Sequence, residues 1–220
     1  NGALKVKGLG SGKVKIGDAE LIWPDADGSV NQYIKTDGSG NLAFATPSSA
    51  DIVLLQTVTI TSNTSTASLT AFSNSTYNSY HITIDVVPQT DSESLFAKFS
   101  TDGGSSYSGA SYSHHRVLGE STTLYGQQGV SQSYINVCGF PIHNVAAKGG
   151  ASGTMGIFNA GNAAIGTSYD ASMGTYRNSS TLYSCHQHGQ HEIAQDTDAV
   201  QFYMSSGNLT LATFKLYGLK

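Results

Sequence analysis

The sequence predicts an all-β protein: an antiparallel jelly-roll-type β-sandwich preceded by a short N-terminal β-rich anchoring segment. Three observations carry that prediction. Ser, Thr, Asn and Gly supply 88 of the 220 residues, a composition of strands and turns and not of the Ala/Glu/Lys/Leu chemistry that builds helices. Short apolar/polar alternations recur after residue 50. In Tyr80-His81-Ile82-Thr83-Ile84-Asp85-Val86 the residues Ile82, Ile84 and Val86 face one side while His81, Thr83 and Asp85 face the other. No long apolar pattern of helical period accompanies them.

Taken in order, the first element is the N-terminal segment. Lys5-Val6-Lys7 and Lys13-Val14-Lys15-Ile16 alternate with strand period. Asp25-Ala26-Asp27-Gly28 and Asp37-Gly38-Ser39-Gly40-Asn41 have turn chemistry, because Asp and Asn bond their own backbone and Gly tolerates positive φ. Trp23, Tyr33, Ile34, Leu42 and Phe44 are its candidate buried residues. So few large apolar groups do not build an independent core, so the segment is expected to borrow burial from other copies or another protein. That makes Lys5, Val6, Lys7, Lys13, Val14, Lys15, Ile16 and Trp23 the candidate anchor.

Composition changes near Thr46-Pro47-Ser48-Ser49-Ala50, which divides residues 1–50 from residues 51–220. Ahead of it five Lys balance five carboxylates, and behind it six basic and ten acidic residues account for the whole net charge of −4. Strands are predicted over 58–61, 80–87, 95–100, 133–138, 154–158, 182–188, 200–204 and 211–217. Turns such as Thr101-Asp102-Gly103-Gly104 and Ser205-Ser206-Gly207-Asn208 separate them. Such a series describes a sandwich.

Charge and hydropathy narrow the partners. No basic block is present to neutralise a phosphate backbone, which argues against nucleic acid. The longest apolar run, Ile52-Val53-Leu54-Leu55, falls far short of the ~20 residues that span a bilayer, and the start lacks a signal-peptide core. Neither a membrane nor classical secretion is expected. Cys138 and Cys185 are read as free thiols.

The sharpest chemical feature is Cys185-His186-Gln187-His188-Gly189-Gln190-His191, with His114-His115 elsewhere. On a strand, His186 and His188 share a face, and a three-fold axis would gather six imidazoles around a metal. A polar, solvent-facing strand explains them equally, and no cofactor is expected. The Asp-rich turns fail the EF-hand test, since Val30 and Leu42 stand where that loop needs Gly. Nucleophile-elbow, phosphate-loop and zinc-helix motifs are absent. Asp196 and Asp198 are the only carboxylate pair that invites a glycosidase reading, and an edge-strand role explains them as well. The chain is not expected to be an enzyme. Tyr107, Tyr112, Tyr125 and Tyr176, set among Ser, Gly and Asn, are the candidate receptor contacts, because Tyr supplies rigid contact area where small polar residues supply hydrogen bonds.

The stretch from Trp23-Pro24-Asp25 through Gly40-Asn41-Leu42 is similar to segments of structural and tail-fibre proteins of marine tailed bacteriophages. Tyr77-Asn78-Ser79-Tyr80, Ser100-Thr101-Asp102-Gly103-Gly104-Ser105-Ser106-Tyr107, the run from Asp198 to Asn208 and Lys215-Leu216-Tyr217-Gly218-Leu219 resemble a β-sandwich found in the same virion proteins. The resemblance implies a non-enzymatic, trimeric protein at the virion surface, anchored by its N-terminal segment and assembled in the bacterial host cytoplasm. As a short fibre or spike it would recognise a host-surface glycan. The alternatives are a capsid decoration, cement or head-fibre protein and, last, a polysaccharide depolymerase. Its partners would be itself as a homotrimer, other virion proteins and that glycan.

Overall fold

The structure is a computed structural model, and it describes residues 13–16, 19–24, 28–47, 50–144, 150–176 and 181–220. The chain divides into two compact units, 1–50 and 51–220. In the first, β1 (Lys13–Ile16) pairs antiparallel with β2 (Ala19–Ile22), and β3 (Tyr33–Thr36) with β4 (Leu42–Ala45). The β3–β4 turn forms because the Asp37 carboxylate accepts from the backbone N–H groups of Ser39 (2.7 Å) and Asn41 (3.1 Å). The Asn41 side-chain amide, which donates to Oδ2, and then those backbone bonds hold its pKa below the usual carboxylate range. Leu42 and Phe44 are half-buried, while Trp23, Tyr33 and Ile34 are exposed, which corrects the burial expected of them. No described side chain of this unit is buried. Of the expected anchor, Lys5, Val6 and Lys7 lie outside the described residues, as do Asp25 and Asp27. Lys13 to Ile16 form β1.

The second unit is the expected antiparallel sandwich. Its strands are β5 (Ile52–Ile60), β6 (Thr66–Leu69), β7 (Ser79–Pro88), β8 (Leu95–Ser100), β9 (Tyr112–Glu120), β10 (Thr123–Gln132), β11 (Ile135–Asn136), β12 (Ala151–Phe158), β13 (Gly166–Tyr176), β14 (Leu182–Ala194), β15 (Ala199–Met204) and β16 (Leu209–Leu219). They form one sheet of eight strands, in the order β10-β9-β14-β13-β12-β7-β16-β5, and one of four, β11-β8-β15-β6. The sheets are therefore unequal. Strands β12-β7-β16-β5 of the large sheet and the four of the small one make a rolled core, and the chain passes from sheet to sheet between β5 and β6, β6 and β7, β7 and β8, β8 and β9, β10 and β11, β11 and β12, β14 and β15, and β15 and β16. The hairpins β9–β10 and β13–β14 are additions to that rolled core, and both widen the large sheet on one side.

Alternation builds the core. Ile82, Ile84 and Val86 of β7, Phe214 and Leu216 of β16, and Leu95, Ala97 and Phe99 of β8 are all buried in one cluster, as the period-2 pattern requires. Phe202 of the small sheet stacks on Phe214 of the large one at 4.6 Å, so one aromatic pair joins the layers. Burial of Cys138 and Cys185 as free thiols pushes both sulfur groups up, to about 12 and about 11. Among the described residues no helix is long and apolar enough to cross a membrane.

The loop between β8 and β9 shows how turn chemistry fixes the core's rim. Asp102 Oδ1 accepts from the Ser106 N–H (2.9 Å) and the Ser100 hydroxyl (2.8 Å), and Oδ2 accepts from the Ser106 hydroxyl (2.6 Å). The bonds from Ser106, then that from Ser100, hold the carboxyl down to about 2. Because the folded value lies below the unfolded one, the stabilisation is present above the ordinary carboxylate pKa and is lost as pH falls through about 2. Between pH 5 and 2, wild-type Tm should therefore fall more steeply than that of Asp102→Asn, with the variant several degrees lower at neutral pH. Parallel curves in a calorimetric series would refute the assignment.

Candidate functional site

The outer face of the large sheet is the solvated one. Along β14 the alternation is strict: Tyr183, Cys185, Gln187, Gly189 and His191 are buried, whereas Leu182, Ser184, His186, His188 and Gln190 are exposed. Register sets the neighbours of the exposed set. His188 lies beside His115 of β9 and Asp170 of β13, while His186 lies beside Val117 and Ser172. Asp170 is committed to the sheet, since its Oδ1 accepts the Gly156 N–H at 2.9 Å; a Cβ on Gly156 would stand 2.2 Å from that oxygen. Only glycine admits this approach.

Where β9, β10 and β14 adjoin, the outer face holds an open hollow of ≈ 390 Å³, lined by Ser113, His115, Gln128, His188, Gln190 and Glu192 among others. Two glycines on its floor carry the packing beneath. A Cβ on Gly189 would stand 2.3 Å from the Tyr169 ring, and one on Gly129 2.6 Å from the His114 ring. Tyr169 is fully buried and donates its hydroxyl to the Ser113 carbonyl at 3.2 Å, so the floor is rigid. Burial, then the nearby Arg116 and His115 charges, lowers the pKa of His114 and keeps that ring neutral near pH 7. The rim thus offers imidazoles, primary amides and one hydroxyl, with Glu192 as its one carboxylate. Such a surface exchanges hydrogen bonds with a hydroxyl-rich ligand and does not require a charged one.

The expected site residues fare differently. Tyr112 is fully buried on β9: its hydroxyl accepts from the Phe99 N–H (2.8 Å) and donates to the Ser108 carbonyl (3.2 Å), and its ring stacks on His191 at 4.6 Å. It is a core residue, and its expected contact role is withdrawn. Tyr107 is half-buried with its hydroxyl oxygen buried, beneath the loop of Asp102. Tyr125 lies on β10, 42% exposed, and Tyr176 is half-buried at the end of β13, so both are strand residues and not loop residues. His186 and His188 do share the outer face. Among the described residues, however, no three His, Cys, Asp or Glu side chains stand together in an arrangement that could hold a metal ion. Asp198 accepts the Gly103 N–H at 2.9 Å and so braces the Asp102 loop.

Sequence reasoning missed the hollow because it missed β9, β10 and β13. The signal available was the pairing of His114-His115 with His186 and His188, two polar runs that a single antiparallel pair brings side by side.

Against protein-family models, curated proteins and solved structures, the chain has no match.

Proposed function

We propose that the protein is a structural, surface-displayed component of a bacteriophage virion, a short fibre or spike whose sandwich recognises a host-surface glycan. The observation that carries the recognition role is the histidine- and glutamine-lined hollow. Saccharides present many hydroxyls, each donor and acceptor at once, and the rim of His115, Gln128, His188 and Gln190 answers both roles. The resemblance of the Trp23–Leu42 and Ser100–Tyr107 stretches to virion proteins supports the setting. Self-association through the first unit, as in a homotrimer, is supported by the lack of any buried side chain among that unit's described residues. Weak single-site binding would then be multiplied by valency.

The test is binding of purified host-surface polysaccharide to the full chain. His188→Ala and Gln190→Ala each remove a hydrogen-bonding side chain from an exposed position, so folding is expected to be untouched and affinity to fall roughly tenfold. Unchanged affinity in both variants would refute the hollow as the site.

The exposed first unit also favours a second reading, a capsid decoration, cement or head-fibre protein in which residues 1–50 clamp neighbouring shell subunits. Electron microscopy of particles labelled with an antibody against residues 51–220 separates the two. Label at the tail agrees with the fibre, and label over the head agrees with decoration.

A further inference from the structure

The large sheet ends on one side at β10, which pairs with β9 and with no other strand among the described residues. Its outer row of N–H and C=O groups is therefore open to another strand. Natural proteins blunt such edges with charge, with proline, or by keeping the strand short. The other edges here are managed: β11 has 2 residues and β6 has 4. On β5, the Gln56 side chain accepts the backbone N–H groups of Thr70 (2.8 Å) and Ala71 (3.0 Å), which ties that edge to the chain leaving β6. Over Thr123–Gly129 β10 has none of these protections; beyond Gly129 its register shifts, and the Gln132 side-chain amide already donates to the Val130 carbonyl at 2.8 Å. Its ten residues, Thr-Leu-Tyr-Gly-Gln-Gln-Gly-Val-Ser-Gln, include no charge and no proline. Leu124 is 75% exposed, Val130 58% and Tyr125 42%.

We propose that β10 is an assembly edge that pairs antiparallel with β10 of a second copy of this chain, about a two-fold axis through Gln127, to make one continuous sheet. The strand itself specifies the occupant. A two-fold pairing sets a strand against itself, and one without charge brings no like charges together. Centred on Gln127, the register places Gly126 opposite Gln128 of the second copy on the outer face, twice by symmetry, within the stretch whose register is regular. On the inner face it places Tyr125 opposite Gly129, where an aromatic ring covers the backbone that glycine leaves bare. The β10 backbone is already held for such pairing, because Arg116 Nε (2.9 Å) and Nη2 (2.7 Å) both donate to Gln127 Oε1 across the hairpin. The register shift between Gly129 and Gln132 ends the regular edge. Since Gln128, Gly129 and Val130 line the hollow, the second copy's strand would run along its rim. The proposal stands whether or not the hollow binds a glycan.

The test uses the full chain. Light scattering should give the wild-type protein a larger mass than Leu124→Lys, twofold where β10 is the sole contact between copies, because a lysine at the paired edge opposes pairing while the exposed site leaves the fold intact. A single variant, Gln127→Cys, checks the register, because only pairing centred there sets the residue opposite its own counterpart. Directly opposite antiparallel residues lie about 4.5–5.5 Å apart at Cα, within disulfide reach. The native Cys138 and Cys185 are buried and do not compete. Mild air oxidation should therefore give a covalent dimer on a non-reducing gel. Equal masses for wild type and Leu124→Lys, or no covalent dimer from Gln127→Cys, would overturn the proposal.

Discussion

Replacing Tyr112 by alanine is expected to remove about 3–5 kcal/mol of stability, the range for deleting a large buried aromatic ring. The ring is fully buried between Phe99, at 5.9 Å edge-on, and His191, stacked at 4.6 Å, so no neighbour can collapse into its space without losing its own packing. Its hydroxyl joins three segments: it accepts from the Phe99 N–H of β8 and donates to Ser108 in the connecting loop, while the ring itself stands on β9. Burial also pushes that hydroxyl up to about 12, so it stays a neutral donor throughout the accessible pH range. Tyr112→Phe keeps the ring and loses only the hydroxyl, leaving a buried N–H unpaired, which costs about 1–3 kcal/mol. Urea titration followed by circular dichroism should rank wild type, Tyr112→Phe and Tyr112→Ala in descending stability. If the alanine variant lost less than about 1 kcal/mol, the core placement of Tyr112 would be wrong.

Phe214→Ala should be comparably severe, at about 3–5 kcal/mol, for a different reason. Phe214 and Phe202 are both 0% exposed and face each other nearly parallel, with a 17° angle between ring planes, one from each sheet. Removing either ring opens a gap between the layers at their centre, where no backbone can shift to fill it because both strands are paired on both sides. Leu211→Ala on the same strand is the control. Leu211 is 44% exposed, and its truncation should stay within roughly 0.5 kcal/mol. Equal effects from the two substitutions would mean that burial does not decide the cost.

The rolled core, β6 excepted, was legible in the sequence, and the reason lies in its side chains. Strands β7, β8, β12, β15 and β16 each carry Ile, Val, Leu, Phe or Met at alternate positions, which announces both the strand and its inner face. β9, β10 and β13 do not. On β9 the inward residues Tyr112, His114, Arg116 and Leu118 are mostly polar, and β13 buries Thr167, Ala171 and Thr175 beside Tyr169 and Met173. Small and polar residues are held there by register with neighbours, which the local pattern does not encode. Tyr112 and Tyr125 therefore passed for loop residues. β14 was the exception, legible as a strand but only to His188, because its later residues are polar on both faces. The hollow needed β9, β10 and β14 together, so no single stretch of sequence could reveal it.

The way the inserted hairpins are seated makes the large sheet asymmetric in what it can lose. β13–β14 leans on β12 of the rolled core, whereas within the sheet β9–β10 bonds only to β14, with Tyr112 tying it across to Phe99 of β8. The outer hairpin thus stands on the inner one as an upper course stands on a lower. Removing β13–β14 would take away the strand to which β9–β10 is bonded, whereas removing β9–β10 would leave β13–β14 paired, bare β14 as the new margin and cost the core Tyr112. Within the sheet, dependence thus runs one way, from the outer hairpin to the inner one, although β11 and β12 separate the two in the chain.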